Sequence, residues 1–154
     1  MKIFLACCLT TLSLISCGEG SSGQGNENVC DDSTDTVPFE LGMVLTSNEG
    51  QYSLKIEAAD PNPVDRGLNT LTVVIYDADG NAIPDAAIVL EPSMPGHGHG
   101  TFPPTFEGTR AGADGSYEFG PFDLMMPGTW LLTFTVTDSA NITSIVTVAF
   151  CVES

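Results

Sequence analysis

Both histidines of the 154-residue chain lie two residues apart in the segment MPGHGHG, residues 94–100. A second segment, residues 125–128, contains two adjacent methionines. Imidazole nitrogen together with thioether sulfur suits Cu(I), whereas carboxylate oxygens suit Ca, Mg or Mn. Residues i and i+2 of an extended chain point the same way, so the two imidazoles can share a face. We therefore expect a candidate copper site formed by Met94, His97, His99, Met125 and Met126.

A metal-free interpretation of the same residues stays open. Methionine commonly fills gaps in protein cores, so Met125 and Met126 can be packing residues. His97 and His99 can equally be solvated side chains of a polar surface loop.

No pattern in the sequence indicates catalysis. It lacks a G-x-S-x-G nucleophile motif and a phosphate-binding loop, and no two of its many carboxylates stand out as an acid–base pair. Residues 77–81, DADGN, faintly resemble a calcium loop, but they lack the distal Glu, so a hairpin turn is favoured. We expect a protein that is not an enzyme.

The N-terminus has the pattern of an export signal. Lys2 precedes an apolar run over residues 3–15 that is too short to span a bilayer. The run ends in LISCG, residues 14–18, which resembles a bacterial lipobox. We predict a cleaved signal peptide over residues 1–16 and lipidation of Cys17, which makes the lipid anchor the contact with the membrane. Because residue 18 is Gly and not Asp, resemblance to Gram-negative lipoproteins implies an outer-membrane protein facing the periplasm.

Two other cysteines, Cys30 and Cys151, remain after cleavage and lipidation. A pair of thiols in an exported chain predicts a disulfide between them. A metal-binding or redox pair is the alternative, although the chain lacks the close C-x-x-C spacing typical of such sites.

The charge of the chain excludes several partners. Four Lys and Arg stand against 20 Asp and Glu, a formal charge of −16. Removing Lys2 with the signal leaves three cations and the same 20 anions, so the mature charge is −17. Nucleic-acid binding depends on cations that neutralise phosphates, so we expect no nucleic acid among the partners.

Strand patterns dominate the chain after a Gly-, Ser- and Asn-rich acidic stretch, which predicts a flexible tether over residues 17–37. Residues 130–137 alternate apolar side chains with Thr, and similar runs cover 52–58, 70–76, 86–90, 116–119 and 142–151, separated by turn signals. Short strands at this spacing predict an all-β fold. We expect one antiparallel immunoglobulin-like β-sandwich of about seven strands over residues 38–154.

The order of these strands predicts where the Met and His segments lie. Between residues 100 and 125 the chain should cross the sandwich twice, once over 101–109 and back over 116–124. An even number of crossings returns it to the same end, so both segments should meet there. The strand that ends near Cys151 should finish at this end too.

Four blocks of the sequence resemble a known family. Residues 69–86, 92–100, 114–117 and 122–130 match in order and spacing the YtkA-like domain of exported bacterial lipoproteins. The resemblance implies a small β-sandwich related to the FixH group and an envelope role in copper handling or oxidase assembly, with an envelope protein as partner. Members often carry Met-Pro-x-Met-x-His in the first loop, which here is residues 94–99, and His97 stands where Met is common. The resemblance supports Met94, His97, His99 and Met126, whereas Met125 rests on the crossing count.

A second resemblance points to another function. Residues 80–89, 112–117 and 127–130 are similar to carboxypeptidase-regulatory and other transthyretin-like modules, which serve as structural or adhesive spacers. This alternative is a metal-free interaction module, and it does not account for the MPGHGHG segment.

Overall fold

A computed structural model describes residues 29–30, 35–112 and 114–153. The predicted signal peptide, Cys17 and most of the predicted tether lie outside these residues. Ten strands and a single 3-10 turn make up the regular structure of the described chain. In chain order the elements are β1 (Val44–Thr46), β2 (Tyr52–Asp60), β3 (Gly67–Asp77), β4 (Ala87–Met94), the 3-10 turn (Pro95–His97), β5 (His99–Gly100), β6 (Phe106–Glu107), β7 (Thr109–Arg110), β8 (Ser116–Leu124), β9 (Gly128–Thr137) and β10 (Thr143–Val152).

The strands form two antiparallel sheets, which confirms the predicted β-sandwich. The first sheet has the order β1-β2-β3-β8-β7, and the second has the order β10-β9-β4-β5, with β6 also paired to β4. The six long strands match the six predicted runs. The four strands of two or three residues were not predicted, because so short a segment has no alternation to recognise.

The core lies between the sheets and follows the alternation of the sequence. Along β9, Trp130, Leu132, Phe134 and Val136 are buried, while the intervening residues are half-buried. Matching inward faces come from the first sheet, including Leu54 and Ile56 of β2. Burying such faces from both sheets is what stabilises a sandwich of this size.

The predicted turns carry the backbone conformations that their residues favour. Residues 77–81 form a hydrogen-bonded turn in which the Asp77 carboxylate accepts hydrogen bonds from the amides of Asn81 (2.8 Å) and Asp79 (2.9 Å). The bonds from Asn81, chiefly from its backbone, lower the pKa of Asp77. A short polar side chain that bonds its own turn is the usual reason for Asp at this position.

The N-terminal segment lies along the outer edge of β10. The Val37 amide donates to the Ala149 carbonyl, and the Asn48 amide of the β1–β2 turn donates to the Ile145 carbonyl on the same edge, each at 3.0 Å. The ring of Phe39 lies 5.0 Å from that of Phe150, measured between centroids. Contacts with the sandwich therefore begin before residue 38. In the described part of the chain, no helix has the length and apolar character needed to cross a membrane.

Candidate metal site at one end of the sandwich

The histidine segment is a tight turn that folds back on β4. The 3-10 turn begins directly after β4, and Gly98 ends it in a left-handed conformation (φ 66°). The Gly98 amide donates to the Met94 carbonyl at 3.0 Å. The chain then reverses, so that His99 of β5 pairs with Met94 of β4. Glycine is needed at the reversal because positive φ is unfavourable for other residues.

The methionine segment connects β8 to β9. The carbonyl of Met126 in this segment accepts a hydrogen bond from the Trp130 indole Nε1 at 3.0 Å. Gly128 begins β9 with a φ of 135°. The indole of Trp130 thus holds the turn that contains the two methionines against the start of β9.

The two segments meet, as the crossing count predicted. β4 and β9 are neighbours, and Ser93 lies opposite Leu131. A Cβ atom added to Gly128 would lie 2.6 Å from the Cε atom of Met94. The imidazole of His99 lies 6.2 Å from the Trp130 ring, measured between centroids. We call residues 94–99 and 125–128 together the Met/His end.

The five candidate ligands differ in exposure. Met94 is 1% exposed and belongs to the core, whereas Met126 is half-buried against it. Met125 is 49% exposed, and both histidines are exposed. The His97 and His99 rings lie 5.8 Å apart between centroids. The structure therefore presents two adjacent imidazoles to solvent, with one exposed methionine and two less accessible ones at the same end.

A groove of about 410 Å³ runs beside His99. Its lining includes Met94, His99 and three residues that the sequence did not single out: Glu91, Ser93 and Pro104. Trp130 is the other missed neighbour, since the alternation marked it only as core. The β4–β9 register places it next to His99, and a single sequence gives no direct signal of register.

Acidic ligands do not complete a site here. Among residues 29–30, 35–112 and 114–153, no group of three or more His, Cys, Asp or Glu side chains could hold a metal ion. A site that uses His97 and His99 must therefore draw its other ligands from donors such as thioethers.

The Cys30–Cys151 disulfide is also at the Met/His end. The two cysteines are bonded, with Cα atoms 5.7 Å apart and a sequence separation of 121. Cys151 of β10 pairs with Thr129 of β9, next to Gly128. Cys30 is buried, and the carbonyl oxygen of its neighbour Val29 lies 3.5 Å from a Cβ built on Gly128. The predicted position of Cys151 is thereby confirmed.

Comparison with known protein families identifies the family of the sandwich domain. Residues 48–135 match the YtkA-like family. The chain belongs to the YtkA-like family. The matched span runs from the turn before β2 to residue 135, two residues before the end of β9, so it includes both segments of the Met/His end. No curated protein matches this YtkA-like chain in sequence.

Proposed function

We propose that this YtkA-like protein is a non-enzymatic lipoprotein of the bacterial envelope that binds Cu(I) at the Met/His end. The observation that carries the proposal is the pair of exposed imidazoles, 5.8 Å apart, at the end where three methionines gather. Lipidation of Cys17 would attach the protein to the membrane, and its role would be to handle copper there with an envelope protein as partner.

The spacing of the two rings is compatible with one shared ion. A metal–nitrogen bond is about 2.0 Å long, so the ion lies about 3.2 Å from the centre of each bound imidazole. Two rings on one ion are then about 5.2 Å apart at a tetrahedral angle and about 6.4 Å apart when linear. The separation of 5.8 Å between His97 and His99 falls within this range.

The available donors favour Cu(I) over harder ions. Met125 is exposed and Met126 half-buried at this end, and soft sulfur selects Cu(I). Met94 would add a third thioether only if its side chain turned out of the core, where it now lies.

The decisive experiment is a Cu(I) titration of the mature chain, carrying Cys17→Ser to remain unlipidated, in competition with a Cu(I) chelator. The sole tryptophan is an internal reporter, because its ring is 6.2 Å from that of His99. We expect uptake of one equivalent, with quenching of Trp130 fluorescence in step.

Variants assign the uptake to residues. The double variant His97→Ala/His99→Ala should lose at least about tenfold in affinity, since the loss of one ligand commonly costs more than the 1.4 kcal/mol that corresponds to a factor of ten. Met126→Leu should weaken binding as well. Met43→Leu is the matched control, because Met43 is half-buried and lies away from the Met/His end. No uptake, or uptake unchanged in the double variant, refutes the copper site and favours the metal-free interaction module.

A further inference from the structure

We infer that the Met/His end faces the membrane, so that copper is exchanged with a membrane-bound partner and not with a protein in solution. This inference rests on the lipid anchor of the proposed function. It comes from a juxtaposition that the structure shows: the disulfide attaches Cys30 to the same end of the sandwich as His97 and His99.

The disulfide determines where the anchored segment meets the fold. Cys30 is bonded to Cys151, and Cys151 lies opposite Thr129 at the Met/His end. Val37, further along the chain, bonds to Ala149 near the same end of β10. Residues 36–39 line a groove of about 610 Å³ together with Cys151 and with Val64 of the β2–β3 loop. The N-terminal segment therefore joins the sandwich at this end in every described contact before Phe39.

Chain length limits how far this end can be from the bilayer. Cys17 and Cys30 are 13 residues apart in sequence. A fully extended chain of that length spans at most about 45 Å. The ten residues of β10 span about 30 Å, so the opposite end can be that much further away. The Met/His end is thus the end of the sandwich with the shorter maximum distance from the lipid.

Exposed apolar side chains give this end a surface suited to a protein partner. Phe102 is 91% exposed in the loop after β5, Leu68 is 65% exposed at the start of β3, and Met125 is 49% exposed after β8. Leu68 lies opposite Asp123, close to Met125, and Phe102 follows β5, which pairs with the last residues of β4, so all three are near the Met/His end. Apolar groups near the centre of a contact surface contribute most of the binding energy in typical protein interfaces.

Fluorescence resonance energy transfer from a donor dye on the protein to an acceptor dye on the bilayer tests the orientation. The lipidated full-length mature protein, with its disulfide intact, is labelled at Asn62→Cys in the β2–β3 loop or at Ser139→Cys in the β9–β10 turn, both exposed positions. It is bound to phosphatidylcholine vesicles that carry an acceptor dye on their headgroups. Zwitterionic lipid avoids repulsion of the acidic protein.

We expect transfer from residue 62 to exceed that from residue 139 by about twofold or more, given the length of about 30 Å between the two ends. In the Cys30→Ser/Cys151→Ser background the first described contact with β10 is Val37, 20 residues from Cys17 and up to about 70 Å away. Transfer from residue 62 should then fall toward that from residue 139.

The outcomes separate the two proposals. Equal or greater transfer from residue 139 overturns the orientation while leaving the lipid anchor and the copper site intact. A mature protein that gains no diacylglyceryl mass at Cys17 and does not float with the vesicles overturns the anchor, and the orientation with it. The Cu(I) titration uses unlipidated protein, so its failure is recognised independently.

Discussion

Breaking the Cys30–Cys151 disulfide should lower the free energy of unfolding by an amount that the loop sizes define. The perturbation is the double variant Cys30→Ser/Cys151→Ser. In the unfolded chain the bond closes a loop of 121 residues. The chain-entropy relation gives a stabilisation of about 5 kcal/mol for a loop of this size.

The disulfide also constrains the folded protein, and this constraint reduces the predicted stabilisation. The next described contact of the N-terminal segment with β10 is at Val37, seven residues after Cys30. In the folded protein the bond therefore closes a loop of about seven residues, which costs about 2.4 kcal/mol by the same relation. If breaking the bond releases the segment before Val37, the net loss is about 2.5 kcal/mol; if the segment keeps its position, the loss approaches 5 kcal/mol.

Urea unfolding, followed by the fluorescence of Trp130, measures this loss. With a slope of about 1.5 kcal/mol/M for a domain of this size, the midpoint should fall by about 1.7–3.3 M. Wild-type protein under strong reductant is the matched control and should show the same midpoint as the double variant. A loss below about 1 kcal/mol would refute the reasoning, because it is smaller than either limit allows.

Three further changes test the fold and the site. Gly128→Ala should lower the free energy of unfolding by about 1–3 kcal/mol, because its φ of 135° disfavours a side chain and the new Cβ would lie 2.6 Å from the Met94 Cε; thermal unfolding measures it. Tyr117→Phe should cost about 1–3 kcal/mol in urea unfolding, because the buried hydroxyl accepts a hydrogen bond from the Ala86 amide at 2.8 Å and donates one to a carbonyl at 3.0 Å. Since folding lowers the pKa of Asp77, its contribution is complete above its unfolded pKa of about 3.9 and is lost as pH falls through the lower folded value; Asp77→Asn should make the melting temperature fall less steeply below about pH 4.

Each of these changes has its control. Gly50→Ala places a side chain at a φ of 73° with nothing within 4 Å, so it separates backbone strain from collision with Met94, and equal losses at both glycines would contradict the collision. Tyr76→Phe removes a half-buried hydroxyl that makes no hydrogen bond within the described residues, and it should be nearly neutral. For Asp77, identical acid profiles of variant and wild type would rule out the contribution of its carboxylate.

The sequence predicted the architecture well because alternation and turn residues are local signals. All six long strands, the turn at residues 77–81 and the meeting of the two segments follow from them. The burial of Met94 could also have been predicted from the sequence. Met94 is an even number of residues from Ile88 and Leu90 along β4, so its side chain points to the core as theirs do. It was missed because the predicted strand stopped at residue 90, four residues short of the end of β4.

Other features of the site depend on how separate strands align. The contact between His99 and Trp130 follows from the β4–β9 register and from the reversal at Gly98. Register is fixed by packing across the whole sandwich, and nothing in either segment alone encodes it. The four shortest strands also depend on their partners, because two or three residues pair only where a neighbouring edge is already in place.

The N-terminal segment along β10 has a consequence for how the edge of the second sheet is covered. β10 is the outermost strand of the second sheet and runs for ten residues, with Thr143, Ile145 and Thr147 exposed. An uncovered strand edge of this length is a template on which a second chain can add its own strand. The amide of Val37 in this segment and the amide of Asn48 in the β1–β2 turn each donate a hydrogen bond to one of its carbonyls. A shortened protein that begins at Phe39 would uncover the Ala149 position, and edge-to-edge association would then compete with folding as its concentration rises.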